Sequence, residues 1–242
     1  GSILCGATAT VTVDTVIPIG GLNTLRFITS APNGQADAMP MNDTLSVELC
    51  ACDSMLHGTY TVGTGGQFTT VEDAVMTLSN CGIDGPVVFS FLNGTYGTVS
   101  LTGSIYGLST TNTVTFTAAS GIASDVVIGS STISATTALK LIDAKHLIFK
   151  DITIGTNSTN TGYAVDMIGM CENILFYGCN IQTYPNGTVA TYTGVRYYSV
   201  NGATTYLKDV HFIKNKIDGG YYNFWFYFPA GSSANMSTSG MS

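Results

Sequence analysis

Charge is what this 242-residue chain has least of: Asp, Glu, Lys and Arg together make up 10% of it, where soluble domains usually carry roughly 25%. Its 8 basic residues stand against 15 acidic ones, a net charge of −7, and they form no basic cluster. The electrostatic footprint of nucleic-acid binding is therefore missing, and so is that of an anionic membrane surface. Despite a positive mean hydropathy of +0.29, no apolar run approaches the roughly 18 to 20 residues that a membrane-spanning helix needs. No membrane insertion is expected on that ground. The sequence also lacks the heptads of a coiled coil, a Gly-x-Ser-x-Gly elbow and a phosphate loop, since Gly63-Thr64-Gly65-Gly66 has no Lys-Ser/Thr after it. Six cysteines are few for a disulfide scaffold, and Cys50-x-Cys52 is too tight for a zinc site. The chain opens on Gly1-Ser2 with neither methionine nor signal peptide, so a processed product or a piece of a longer chain is expected.

What is abundant points to β structure. Serine and threonine number 56 and glycine 28, with Val, Ile and Tyr frequent throughout. Residues 1–56 alternate in short β segments over 9–13, 22–28 and 44–49. Three strands rarely enclose a core by themselves, so this part is expected to be an incomplete sandwich. A new unit, 57–242, follows. At its start Thr69-x-x-Glu72 forms a capping box, with Val71, Ala74, Val75 and Leu78 at helical spacing and Gly82 as a stop. One short amphipathic helix over about 70–81 is predicted.

Beyond it lies an imperfect repeat. Three nine-residue segments, beginning at His146, Asn173 and Asp209, align so that apolar residues fall into columns: Leu147, Ile174 and Val210; Phe149, Phe176 and Phe212; Ile154, Ile181 and Ile217. The Phe column extends back to Phe116 and Phe89, giving offsets of 27, 33, 27 and 36 residues between Phe89, Phe116, Phe149, Phe176 and Phe212. Constant columns with variable insertions predict an all-β solenoid, a parallel β-helix whose open end the helix would cap.

The run Gly58-Thr59-Tyr60-Thr61-Val62-Gly63, with Gly66-Gln67-Phe68-Thr69-Thr70, Gly85-Pro86-Val87-Val88-Phe89 and Gly94-Thr95-Tyr96, resembles the entrance of right-handed parallel β-helix, pectate-lyase-like domains in bacterial secreted surface proteins of the type IX secretion class. Met39-Pro40-Met41-Asn42-Asp43-Thr44-Leu45-Ser46 resembles the late strands of immunoglobulin-like adhesion modules. The resemblance implies secretion, or placement on the outer surface of a bacterium, within a longer chain. It also implies O-glycan acceptors at Thr15, Thr44 and Ser54, each in an Asp-Ser/Thr-apolar tripeptide. It does not fix an activity, because the same fold carries lyases, hydrolases, adhesins and passive stalks.

Sugar-cleaving β-helices need paired carboxylates, or an acidic calcium site with a base. Here the alignment puts Lys145, Glu172 and Lys208 in one column and His146, Asn173 and Asp209 in the next, with no two carboxylates adjacent. The plain expectation is an exposed charge ladder. If the protein is an enzyme, Lys145, Glu172, His146 and Asp209 are its candidate residues, with calcium entering only in a lyase. Cys171 and Cys179 read as buried hydrophobes, and a bridge from Cys50 or Cys52 to Cys5 is expected in an exported chain. Tyr221-Tyr222-Asn223-Phe224-Trp225-Phe226-Tyr227-Phe228 sets Tyr222, Phe224, Phe226 and Phe228 on one face of a strand and Tyr221, Trp225 and Tyr227 on the other. The second face is the candidate ligand platform. The leading expectation is a non-catalytic adhesion or structural module with carbohydrate as its candidate ligand, needing no cofactor and partnered by extracellular polysaccharide or other surface and secretion components. A polysaccharide lyase or glycoside hydrolase, and a passive stalk or secretion-cargo domain, are the alternatives.

Overall fold

The computed structural model describes residue 10 and residues 21–28, 44–130, 137–156, 162–199, 204–228 and 233–236. The chain divides into two compact units, Gly1–Ser54 and Met55–Ser242. In the first, β1 (Gly21–Ile28) pairs antiparallel with β2 (Thr44–Ala51), Phe27 opposite Leu45. Phe27, Ile28 and Leu45 are exposed on this ribbon. The strand expected over 9–13 lies, but for Thr10, outside the described residues. So does Cys5, and with it the bridge expected there. Cys52 and Cys81 are each disulfide-bonded.

The second unit is an all-β parallel β-helix of three sheets. The seven-stranded sheet runs, in chain order, β3 (Leu56–Val62), β4 (Ile83–Phe91), β7 (Val114–Ala118), β10 (Lys145–Lys150), β13 (Met170–Tyr177), β16 (Thr204–Ile213) and β19 (Ser233–Met236). A five-stranded sheet holds β5 (Gly94–Tyr96), β8 (Val126–Ser130), β11 (Thr153–Thr156), β14 (Asn180–Gln182) and β17 (Lys216–Asp218). The third holds β6 (Val99–Thr102), β9 (Thr137–Ile142), β12 (Gly162–Ile168), β15 (Tyr192–Tyr198) and β18 (Tyr222–Tyr227). Each strand pairs in parallel with its counterpart one turn away, so the chain visits the three sheets in rotation through five complete turns. All three pairings are parallel because each return to a sheet follows a circuit through the other two.

The columns read from the sequence are the register of the sheets. Phe89 pairs with Phe116, Phe116 with Phe149, Phe149 with Phe176 and Phe176 with Phe212. Their ring centroids lie 5.4, 5.2, 5.0 and 4.7 Å apart, the first pair tilted at 38° and the other three stacked, close to the strand spacing of about 4.8 Å. Leu147, Ile174 and Val210 align likewise, as do Ile154, Ile181 and Ile217. These inward side chains fill the solenoid, and among the described residues no buried side-chain polar atom lacks a hydrogen-bond partner.

Two corner columns fix where the strands bend. His146, Asn173 and Asp209 all have left-handed backbones, with φ of 58°, 53° and 51°, and so do Asp151, Gly178 and Lys214, at 50°, 65° and 56°. Asn, Asp and Gly tolerate that region best, which is why these positions favour them. At Gly178 an added Cβ would run into the Asp151 carboxylate one turn below.

The helix α1 (Val71–Cys81) buries Val71, Ala74 and Leu78 against the first turn. Its cap lies one residue later than the sequence pattern suggests. Thr70, not Thr69, accepts the amide of Asp73 at 3.1 Å, and its hydroxyl donates to the Asp73 carboxylate at 2.7 Å. Thr70 takes the cap because it stands directly before Val71, with the extended backbone of an N-cap. Gly82, at φ 66°, ends the helix and donates to Leu78 O.

Candidate functional site

Outward side chains on the third sheet form a second repeat. Lys140, Asp166, Arg196 and Trp225 align across β9, β12, β15 and β18, and Ile142, Ile168, Tyr198 and Tyr227 align beside them. Each outward residue is held in place by inward neighbours on the same strand, such as Val165 and Met167 around Asp166 and Val195 and Tyr197 around Arg196, all fully buried. Asp166 is 3% exposed although it faces outward. Arg196 meets it with two bonds of 2.7 Å, from Nε and from Nη2, a bidentate geometry that fixes the guanidinium plane. The Tyr163 ring lies 3.9 Å from that guanidinium and the Tyr198 ring 5.6 Å, within cation–π range. Tyr198 in turn stacks on Tyr227 at 5.6 Å and 15°.

The aromatic segment alternates as its sequence predicts. Phe224 and Phe226 lie in register with the inward Val195 and Tyr197, and Trp225 and Tyr227 with the outward Arg196 and Tyr198. Tyr221 and Tyr227 are 54% and 43% exposed, and Trp225 is half-buried. Tyr221 sits just before β18 and meets Tyr222 edge-on at 4.6 Å. The outer face of β15 and β18 is thus a platform of rings beside a guanidinium that cannot swing away.

The four residues proposed for catalysis come together only in part, on the seven-stranded sheet. Glu172 lies between Lys145 and Lys208 in register. It accepts from Lys208 Nζ at 2.6 Å and from the Tyr206 hydroxyl at 3.1 Å, and Lys145 Nζ lies 3.6 Å away. Lys145 also donates to Tyr206 at 3.0 Å. The Lys208 bond holds the Glu172 carboxyl below its ordinary value, and the Tyr206 bond holds Lys145 above its own. Both are therefore charged at neutral pH, which suits neither a proton-donating acid nor a proton-abstracting amine. His146 Nδ1 accepts from Asn173 at 2.8 Å, and burial lowers its pKa. Asp209 is turned to the rim, 4.0 Å from Lys208. Burial raises the thiol of Cys171 to about 12 and that of Cys179 to about 11, so both stay protonated inside the core.

Thr44 and Ser54 are exposed, and Thr15 lies outside the described residues. Among the described residues no group of three or more His, Cys, Asp or Glu side chains converges as a metal site would, and no helix is long and apolar enough to cross a membrane.

No protein-family model and no curated protein matches the chain. Among solved structures, it is similar to a penultimately deglycosylated pectin methylesterase from Aspergillus niger at 17% identity and a TM-score of 0.43, over 78% of this chain and 70% of that one. The deglycosylated form of the pectin methylesterase from that organism matches at 13% identity and a TM-score of 0.26, over 78% of this chain and 89% of that one. Likenesses this slight carry over no activity and no residue role.

Proposed function

We propose that the chain is a non-catalytic, carbohydrate-binding adhesion module of an exported bacterial surface protein. The observation that carries this reading is the outer face of β15 and β18, where Trp225 and the stacked Tyr198 and Tyr227 lie beside the fixed Arg196. Rings of this kind offer the flat apolar surface on which the C–H face of a pyranose packs, while the guanidinium and the tyrosine hydroxyls meet its polar edge. The disulfide-bonded state of Cys52 and Cys81 supports export, because such bonds persist in oxidising compartments. An immunoglobulin-like origin for the β1–β2 ribbon, type IX secretion and glycans on Thr44 and Ser54 belong to the same reading. The platform would take neutral or weakly polar sugar chains, with no metal required.

The test is a glycan-array screen of the intact chain, with and without calcium, alongside analysis of released reducing and unsaturated ends. Binding that is calcium-independent, leaves the glycan intact and is lost in Trp225→Ala supports the module. Release of new chain ends would overturn it and favour a lyase or hydrolase. Absence of binding to any glycan would favour a passive stalk.

A further inference from the structure

A groove of about 410 Å³ runs over the outer face of the seven-stranded sheet, away from the aromatic platform. Its floor is the outward column Ile148–Leu175–His211, continued downward by Thr115. Ile148 and Leu175 are half-buried apolar side chains set one turn apart. Thr110, Thr113 and Asn173 line it with groups that exchange hydrogen bonds with hydroxyls, and Asn173 is held by His146.

Charge frames this floor on both sides. Three residues along the strands stands the row Lys145–Glu172–Lys208, and two residues the other way the row Lys150–Tyr177, with Lys214 donating to the Tyr177 hydroxyl at 3.0 Å. At about 3.3 Å per residue the rows lie roughly 10 Å and 7 Å from the floor. Lys145, Lys150, Lys208 and Lys214 are four of the chain's 8 cations, and Asp151, Glu172 and Asp209 are three of its 15 acids. Everywhere else the chain has four cations against twelve acids. The rows framing the groove thus sum to about +1, against −8 for the rest of the chain, and Lys214, which bonds a tyrosine hydroxyl rather than a carboxylate, is the least neutralised of the four. Lys150 and Lys208 keep about half their side chains exposed, at 50% and 52%.

We propose that this groove is a second glycan site, selective for an acidic polysaccharide whose ring faces rest on Ile148 and Leu175 and whose carboxylates meet the two lysine rows. The groove crosses the strands, and their backbone groups are already spent in the parallel ladders on either side. An acidic peptide would thus find no strand edge to extend, whereas a hydroxyl-rich chain needs only the side chains present.

The experiment is calorimetric titration of the full chain with alginate oligomers, neutral dextran and poly-L-glutamate. Alginate is expected to bind, more weakly as salt rises. The double variant Lys150→Gln, Lys214→Asn, whose asparagine suits the left-handed backbone, is expected to lose about tenfold in alginate affinity. Lys208→Gln is a second, independent probe expected to lose less. Trp225→Ala should leave alginate binding unchanged, so loss of the aromatic platform and loss of the groove read out separately. The proposal is overturned if the native chain fails to bind alginate, if both sets of lysine variants bind it as the native chain does, or if Trp225→Ala, with the aromatic platform removed, binds dextran or poly-L-glutamate as well as alginate.

Discussion

The two ends of the solenoid carry the same inward columns under different cover. At the first turn α1 lies on the core, Val62 and Leu78 are fully buried, and Phe89 has no exposed surface. At the fifth complete turn, β16 to β18, the matching residues open up. Phe212 and Ile217 are half-buried, whereas Phe176 and Ile181 one turn earlier are fully buried, and Phe224 is 37% exposed. Residue type is nearly constant along each column, so burial in a solenoid is set by the neighbouring turn rather than by the side chain's own hydrophobicity.

That contrast is sharpest for Phe149 against Phe224. Phe149→Ala removes a ring stacked on both sides and is expected to cost about 3 to 5 kcal/mol. Phe224→Ala should cost less than about half as much. Equilibrium urea unfolding of the two variants checks this, and equal losses would break the comparison. Arg196→Ala is expected to cost about 3 kcal/mol, since it strands the Asp166 carboxylate under the surface. Replacing both, as Asp166→Leu with Arg196→Met, should cost less than the single change, a non-additivity that a double-mutant cycle reads directly. At the covered end Thr70→Ala should cost about 1 kcal/mol. Hydrogen exchange should then quicken at the amides of α1 and leave those of β15 as they were. The smallest effect belongs to Glu172. Because its folded pKa lies below the ordinary 4.5, its contribution is present above that value and fades as the pH falls through the lower folded one. Glu172→Gln should flatten the acid limb of a stability-against-pH profile by about 0.2 to 1 kcal/mol.

The inward columns were legible because the seven-stranded sheet repeats a Phe at a constant place, flanked by Leu, Ile or Val, and nothing but the stack explains that. The lysine–glutamate ladder followed from the same alignment. Asp166 and Arg196 were missed, though their strands carry a signal of their own: Leu139-Lys140-Leu141-Ile142, Val165-Asp166-Met167-Ile168, Val195-Arg196-Tyr197-Tyr198 and Phe224-Trp225-Phe226-Tyr227 share one apolar–variable–apolar pattern. Segments of unequal length precede these strands in the sequence, so an alignment anchored on the Phe column slips before it reaches them. The bridging role of Tyr206 escaped notice for another reason. It stands two residues before Lys208 and bridges Lys145 to Glu172 through space alone.

The unequal spacing of the Phe column has a mechanical meaning. If the chain is pulled from its C-terminal side, each turn is held by the ladder below it, and the turns peel off in order rather than together. Stretched at about 3.3 to 3.6 Å per residue, the intervals of 36, 27, 33 and 27 residues between successive Phe positions release steps of roughly 120, 90, 110 and 90 Å. A module built this way yields to load in instalments, and the order of long and short steps is a force-extension signature written by its corner loops.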